Sequence, residues 1–356
     1  MALRKNDPIE EAKIAAQKKE EEEKKKAQAS IKKEDVEVVE KPIVKTAEDE
    51  SLEADINAKR LEYKKYADKQ KKINIIITSG VVVVLVAAFI CMMVFSSVDW
   101  VTYVAIGAMA CVLVVTYLSS KIMKKKLMAN AEIYINYMYD KTSKYIYDDK
   151  DIKDLTATPK GSLEDKWFLD AHFYTNIKNT KSRNFAHFKI GSVEYDVCDL
   201  AGNTTIKNKL SPKFLGRYYS MKANYKTDGK VSIFQLKGGA LSIPLDDIED
   251  LKLIEGNDDY VLYSNDPNCN KIFSQKLIKE LEKFKVENPL IDIIFSVKDN
   301  LISLGIDYVD EFLNIPVDKD FSIRYTQVSK QDFKKVVNVI NVLLETNKKQ
   351  TEEKAQ

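Results

Sequence analysis

Residues 73–95 read INIIITSGVVVVLVAAFICMMVF and residues 100–118 read WVTYVAIGAMACVLVVTYL, with only SSVD between them. Neither run contains a charged residue. At about 1.5 Å rise per residue the first is a helix of roughly 34 Å, which clears a hydrocarbon core of about 30 Å, and the second just reaches across it. The β-branched content would suit strands, but two isolated strands cannot close a barrel, and lipid leaves no water to satisfy an open edge. The runs are therefore read as a hairpin of two membrane helices. The first run follows a polar stretch of about seventy residues with no short basic lead, which argues against a cleaved signal peptide.

The flanks set an orientation. Lys64, Lys65, Lys69, Lys71 and Lys72 precede the first span, Lys121, Lys124, Lys125 and Lys126 follow the second, and the connecting turn offers only Asp99. The positive-inside bias puts both termini in the cytoplasm, as expected of a multi-pass protein of the cell membrane, with Trp100 and Tyr103 at the outer interface and Tyr117 near the inner one. These lysines are topology determinants that face the lipid headgroups, each worth about 1 kcal/mol near an anionic leaflet. No ionisable residue lies inside the spans, so a transport pathway has nothing to build on. Small residues recur as Gly80, Ala87 and Cys91 and as Gly107 and Cys111, spacings that let helix backbones approach. The favoured use is packing of the hairpin on itself, with contact between copies, hence a homo-oligomer, as the alternative.

Working outward, residues 1–50 are blocks of Lys and Glu such as QKKEEEEKKK, too poor in apolar residues to offset ordering entropy, and are expected to be a disordered charged tail. Residues 51–72 carry Leu52, Ile56, Tyr63 and Tyr66 at helical spacing. Over residues 119–149, Leu127 and Tyr134 are seven apart, as are Ala131, Met138 and Tyr145, a pattern that resembles a coiled coil. Both spans are thus expected to continue as a helical stalk, with its tyrosines as packing and partner surface. The last residues, 348–356, are expected to be a second disordered tail.

Residues 150–347 read as one α+β domain, an antiparallel sheet with covering helices. Three hairpins are expected, around Asp228 and Gly229, around Gly256, and around Asp299 and Asn300. Ser274 is placed to cap a helix whose Leu277, Ile278, Leu281 and Phe284 share a face, and Ser329 with Asp332 resembles a capping box before Phe333, Val336, Ile340 and Leu344. The helices are expected on one face of the sheet.

Two N-terminal spans followed by FLGRYY, YVLYSNDPNCNKIFSQKLIKELEKF and IDIIFSVKDNLISLGIDYVDEF resemble a bacterial two-span membrane family known only as domain of unknown function three-one-three-seven. The resemblance covers the spans and most of residues 180–345. It rests on fold markers, Phe214, Leu215 and Gly216 and the strand and capped helix from Tyr263 to Phe284. It implies membrane placement and a bacterial origin, and no activity.

Chemistry is sparse. With 31% charged residues and a net charge of +2, the chain is not a basic nucleic-acid binder, and nucleic acid is not expected as a partner. Four cysteines (91, 111, 198, 269) and two histidines (172, 187) show no ligand spacing, so no metal site and no cofactor are expected. No GxSxG, HExxH, P-loop or EF-hand pattern occurs, and Gly238 with Gly239 reads as a turn. The acidic groups at Asp246–Asp250, at Asp258 and Asp259, and at Asp307, Asp310 and Glu311 sit at expected turns, and no catalytic residue is assigned. The reading is a non-enzymatic scaffold or sensor that binds a protein partner or small ligand at the cytoplasmic face. The alternatives are a membrane-tethered enzyme, with a site among the acidic turns or around Asp196, Cys198 and Asp199, and a subunit of an oligomeric membrane complex.

Overall fold

Helix α1 (Ala47–Val94) and helix α2 (Asp99–Ile146) each run for 48 residues without interruption, about 72 Å at the usual helical rise. They belong to a computed structural model that describes residues 45–95, 99–169, 171, 177, 179–206, 209–223, 227–237, 240–241, 251–256, 260–266, 269, 274–287, 292–308 and 319–355. Residues 1–44 of the expected disordered tail and the Ser96–Val98 turn lie outside these residues, whereas residues 47–50, expected to belong to that tail, form the first turn of α1, with Asp49 buried. Both helices are long and apolar enough to cross a membrane, and only 6% of the most apolar window of each is buried, unlike a core helix. All nine flanking lysines, from Lys64 to Lys72 and from Lys121 to Lys126, are exposed.

The seam between the apolar halves is not the expected one. Ala88 and Ala105 are buried in it, with Val81, Leu85, Ala108 and Val112 half-buried beside them. Gly80, Ala87, Cys91, Gly107 and Cys111 lie exposed, and a Cβ added at Gly80 or Gly107 would meet nothing within 4 Å. One residue along a helix turns its direction by about 100°, so Ala88 and Ala87 face different ways, and sequence spacing alone does not choose the stripe.

Below the apolar halves the helices meet the rest of the chain. Ile56 and Tyr134 are buried against Phe321 and Ile323, and Leu52 and Tyr63 pack on the same cluster. The Tyr137 hydroxyl donates to Asp55 at 2.7 Å and Tyr145 donates to Asp49, a descending register that makes the pair antiparallel. Residues 47–356 form a single compact unit, stalk and domain together.

That domain is built on a ten-stranded sheet in the order β1 (Ile152–Thr158), β2 (Asn179–Ile190), β3 (Val193–Ile206), β4 (Lys209–Lys222), β10 (Leu301–Asp307), β9 (Asp292–Lys298), β5 (Lys230–Lys237), β8 (Tyr260–Ser264), β7 (Lys252–Gly256), with β6 (Ala240–Leu241) folded back on β5. Every pair is antiparallel. The hairpins expected around Gly256 and around Asp299 are present. The one expected around Asp228 and Gly229 is not, because the β9–β10 hairpin is inserted between β4 and β5. Alternation and a turn signal identify two strands, but not whether they are neighbours.

Helices α4 (Gln275–Glu287) and α5 (Arg324–Ala355) cover one face of the sheet. A register row across six strands, Val197, Tyr219, Leu304, Phe295, Ile233 and Leu262, is almost wholly buried beneath them. Ser274 caps α4 as expected, its Oγ accepting the Leu277 N–H at 3.2 Å. The expected box at Ser329 and Asp332 is no cap. α5 starts at Arg324 and continues to Ala355, through residues expected to be a tail, while Ser329 lies inside it. The opposite face carries a smaller core of Phe168, Cys198, Phe214, Tyr218 and Phe234 under the short helix α3 (Asp165–Leu169).

Candidate functional site

The residues singled out for chemistry do not converge. Asp196 and Cys198 lie on the α3 face of β3, and Asp199, by alternation, on the other. Burial first, then the charge of Asp199, pushes the Cys198 thiol far above its ordinary range, so it is a packed hydrophobe and not a nucleophile. His187 Nδ1 pairs with Asp196 at 2.7 Å, and the register continues from Asp196 to Ser220. The order His–Asp–Ser places the carboxylate between base and hydroxyl, so His187 cannot take a proton from Ser220. His172 and the acidic groups at 246–250, 258–259, 310 and 311 lie outside the described residues, as do Gly238 and Gly239. Among the described residues no cluster of three His, Cys, Asp or Glu could hold a metal.

Two polar constellations that the sequence did not announce are present. The first joins stalk to sheet. Arg217 on β4 is completely buried, and its guanidinium donates to the Tyr147 hydroxyl at 2.8 Å and to Ser329 Oγ at 3.1 Å. Tyr139 and Tyr219 are buried beside it, and burial pushes their phenols up while Arg217 pulls them down, which keeps them neutral. Tyr308 donates to Asp332 at 2.6 Å, Gln327 donates to Asp49 at 2.8 Å, and Asn184 donates to Asp199 at 2.6 Å. The result is largely buried and ties the ends of α1 and α2 to the first turns of α5 and to β4. A shallow cleft of about 210 Å³ at its edge is bounded by Lys181, Arg183, Asp199 and Gly216. It is smaller than the roughly 300 Å³ at which ligand pockets begin.

The second lies on the α3 face. One register row places Ser220, Ser303, Ser296 and Ser232 on four adjacent strands, each at most 2% exposed. The Tyr218 hydroxyl donates to the Trp167 carbonyl at 2.8 Å and meets Ser303 Oγ at 2.9 Å, and Ser296 donates to the Ala171 carbonyl at 3.4 Å. Ser232 Oγ has no hydrogen-bond partner among the described residues. Two residues further along each strand the row reads Lys222, Leu301, Lys298 and Lys230. Lys222 holds its ammonium 4.4 Å from the Trp167 ring centre. Lys230 is 8% exposed, and burial, then the charge of Lys298, lowers its pKa to about 7. Along this face the sheet thus passes from an apolar, covered end through hydroxyls to cations.

The fold defines the class of protein, a long helical hairpin continuous with an antiparallel sheet domain whose helices lie on one face. No protein-family model and no curated protein matches the chain. A solved structure it resembles is the crystal structure of the mycobacterial trehalose monomycolate transport factor A, TtfA, at 11% identity, covering 48% of this chain and 77% of that one, with a TM-score of 0.29. At that score the likeness carries no argument about fold or function.

Proposed function

We propose that this is a membrane-anchored, non-enzymatic protein that presents its sheet domain at the cytoplasmic face, where it binds a protein partner or small ligand. One observation carries the reading: α1 and α2 pass without a break from exposed apolar halves into contacts that belong to the domain core. The Asn57 side chain exchanges two hydrogen bonds with the Phe321 backbone, at 3.0 and 2.9 Å, and Arg60 pairs with Asp320. An anchor on a loose tether needs no such bonds, whereas one that fixes the position of a binding domain does. The exposed lysines on both inner flanks support an orientation with both ends in the cytoplasm. Membership of the two-span bacterial family that FLGRYY and its companion segments resemble is part of the same proposal.

Single cysteines in a cysteine-free chain test the placement. An impermeant maleimide is expected to label Ser97→Cys on intact cells and Lys279→Cys only after lysis, and the reverse pattern overturns the orientation. Crosslinking and mass spectrometry in intact membranes are expected to return a recurrent partner. A domain with neither recurrent partner nor ligand refutes the binding role.

A further inference from the structure

The two long helices pair their cations with carboxylates where they run beside the domain, and stop doing so where they approach the apolar halves. Lys59 bonds Glu62 at 2.7 Å, Lys141 bonds Asp55 at 3.1 Å and Lys144 bonds Asp140 at 2.9 Å. Lys64, Lys65, Lys69, Lys71 and Lys72 on α1 and Lys121, Lys124, Lys125 and Lys126 on α2 are all exposed, and among the described residues none of their side chains has an ion pair, a hydrogen bond or a ring contact. Residues 64–72 and 121–126 hold Asp68 as their only acid, a local charge of +8 in a chain of net +2. Tyr63, Tyr66, Ala67 and Gln70 on α1 and Met123, Leu127 and Asn130 on α2 are half-buried at helical spacing between the lysines, so the ammonium groups point away from the seam on both sides of the pair.

We infer that this cationic collar is a binding surface for anionic phospholipid headgroups, which it enriches around the hairpin, a role beyond fixing orientation. The inference rests on the membrane-anchoring part of the proposed function and names the lipid chemistry. A headgroup layer is about 5–8 Å deep, and Lys69, Lys71, Lys72 and Lys121 lie within roughly 6 Å of the apolar ends Ile73 and Leu118, hence inside it. The other five stand up to about 14 Å out, where long stems and a Debye length of about 8–10 Å still bring the leaflet within reach. Lysine binds a phosphodiester as a point charge that needs no fixed geometry, which suits mobile lipids. A collar open on both sides of the helix pair fits an annulus of lipid, whereas a docked protein would cover one side. Because Asn57 and Arg60 join the same stalk to Phe321 and Asp320, attraction at the collar also holds the sheet domain at a set height over the leaflet.

The test uses the full chain in phosphatidylcholine vesicles that carry a trace of spin-labelled phosphatidylglycerol or of spin-labelled phosphatidylcholine. Electron spin resonance reads the motionally restricted fraction of each label. The vesicles are symmetric, so the readout does not depend on orientation and separates lipid binding from topology. In about 50 mM salt the wild-type chain is expected to prefer the phosphatidylglycerol label about two- to fivefold, and the ratio falls towards one in about 1 M salt, where screening is nearly complete. Lys69→Gln, Lys71→Gln, Lys72→Gln and Lys121→Gln together are expected to remove about half of that preference or more, since they lie inside the headgroup layer. Lys144→Gln, whose lysine is paired with Asp140, leaves it unchanged. Restriction of the phosphatidylcholine label confirms that each variant is inserted. Equal restriction of both labels by the wild-type chain, or a fourfold variant that keeps the full preference, overturns the inference. If the labels are restricted equally and the four substitutions instead abolish a recurrent crosslinked partner, the collar is a protein surface and the inference fails as well. Restriction without preference removes the lipid surface and leaves the anchor standing, whereas no restriction of either label refutes the anchor and the inference together.

Discussion

Lys230 gives the sharpest quantitative expectation. Its pKa falls from 10.5 in a free side chain to about 7 in the folded domain, through burial first and the charge of Lys298 second. A drop of that size corresponds to roughly 4–5 kcal/mol of disfavoured charge, counting about 1.36 kcal/mol per unit. Between pH 7 and 10.5 the unfolded chain holds the proton and the folded chain has released it. The unfolded state therefore binds more protons, and stability rises with pH across that window by up to about 1.4 kcal/mol per unit. Below pH 7 both states are protonated and the full penalty is present. Lys230→Met has no proton to exchange and preserves the apolar stem. It is expected to be more stable than wild type at pH 7, with the advantage shrinking steadily towards pH 10. The assay is denaturant unfolding of both full chains in one detergent at pH 7, 8, 9 and 10, in phosphate-free buffer. Lys59, Lys141 and Lys189, whose pKa values their acidic partners raise, titrate above the window in both proteins and cancel in the difference. A difference that stays constant from pH 7 to pH 10 would refute the reasoning, because it would mean that Lys230 is solvated like a surface lysine.

Three further outcomes follow from the packing. Arg217→Leu is expected to cost about 3–5 kcal/mol in unfolding experiments, since the buried Asp199 carboxylate loses the charge of Arg217, and the Tyr147 hydroxyl and Ser329 lose their donor. Gly216→Ala places a methyl 1.9 Å from the Ile306 carbonyl oxygen on the paired strand, so its cost should reach or exceed the roughly 3 kcal/mol upper range of overpacking, read as loss of folded yield. Asn57→Ala removes both bonds to Phe321 and is expected to cost about 1–3 kcal/mol, with faster hydrogen exchange at the Phe321 amide while the β9–β10 hairpin exchanges as before.

What the sequence revealed follows from the range of each signal. The two long apolar helices and the Ser274 cap are local patterns, complete within a few turns of helix, and each helix and the cap is found where its residues predict. The pairing of β4 with β10 depends on which of several equivalent strands meets which, and 78 residues separate the ends Lys222 and Leu301. Ser329 shows how such distance misleads. Next to an apolar helical run it has the look of a cap, yet its hydroxyl is an acceptor for Arg217, 112 positions away. The serine row had a faint local trace. Ser220, Ser232, Ser296 and Ser303 each interrupt an otherwise apolar strand, as in VSIF and IIFSVK, but the trace becomes a constellation only when the register lines them up.

The same register separates the two polar constellations by purpose. Arg217 has no exposure, and the two hydrogen bonds its terminal nitrogens make run to Tyr147 at the end of α2 and to Ser329 on α5, so it holds the helical hairpin to the domain. Around Lys230 the arrangement is the reverse: charges of one sign are set side by side, at a sheet end where Lys298 reaches solvent. Burial of Lys230 opposite Lys298 is therefore an electrostatic cost that the folded domain carries, and the pH dependence of stability reads it directly, whereas the Arg217 constellation is read by the loss of cohesion when it is removed.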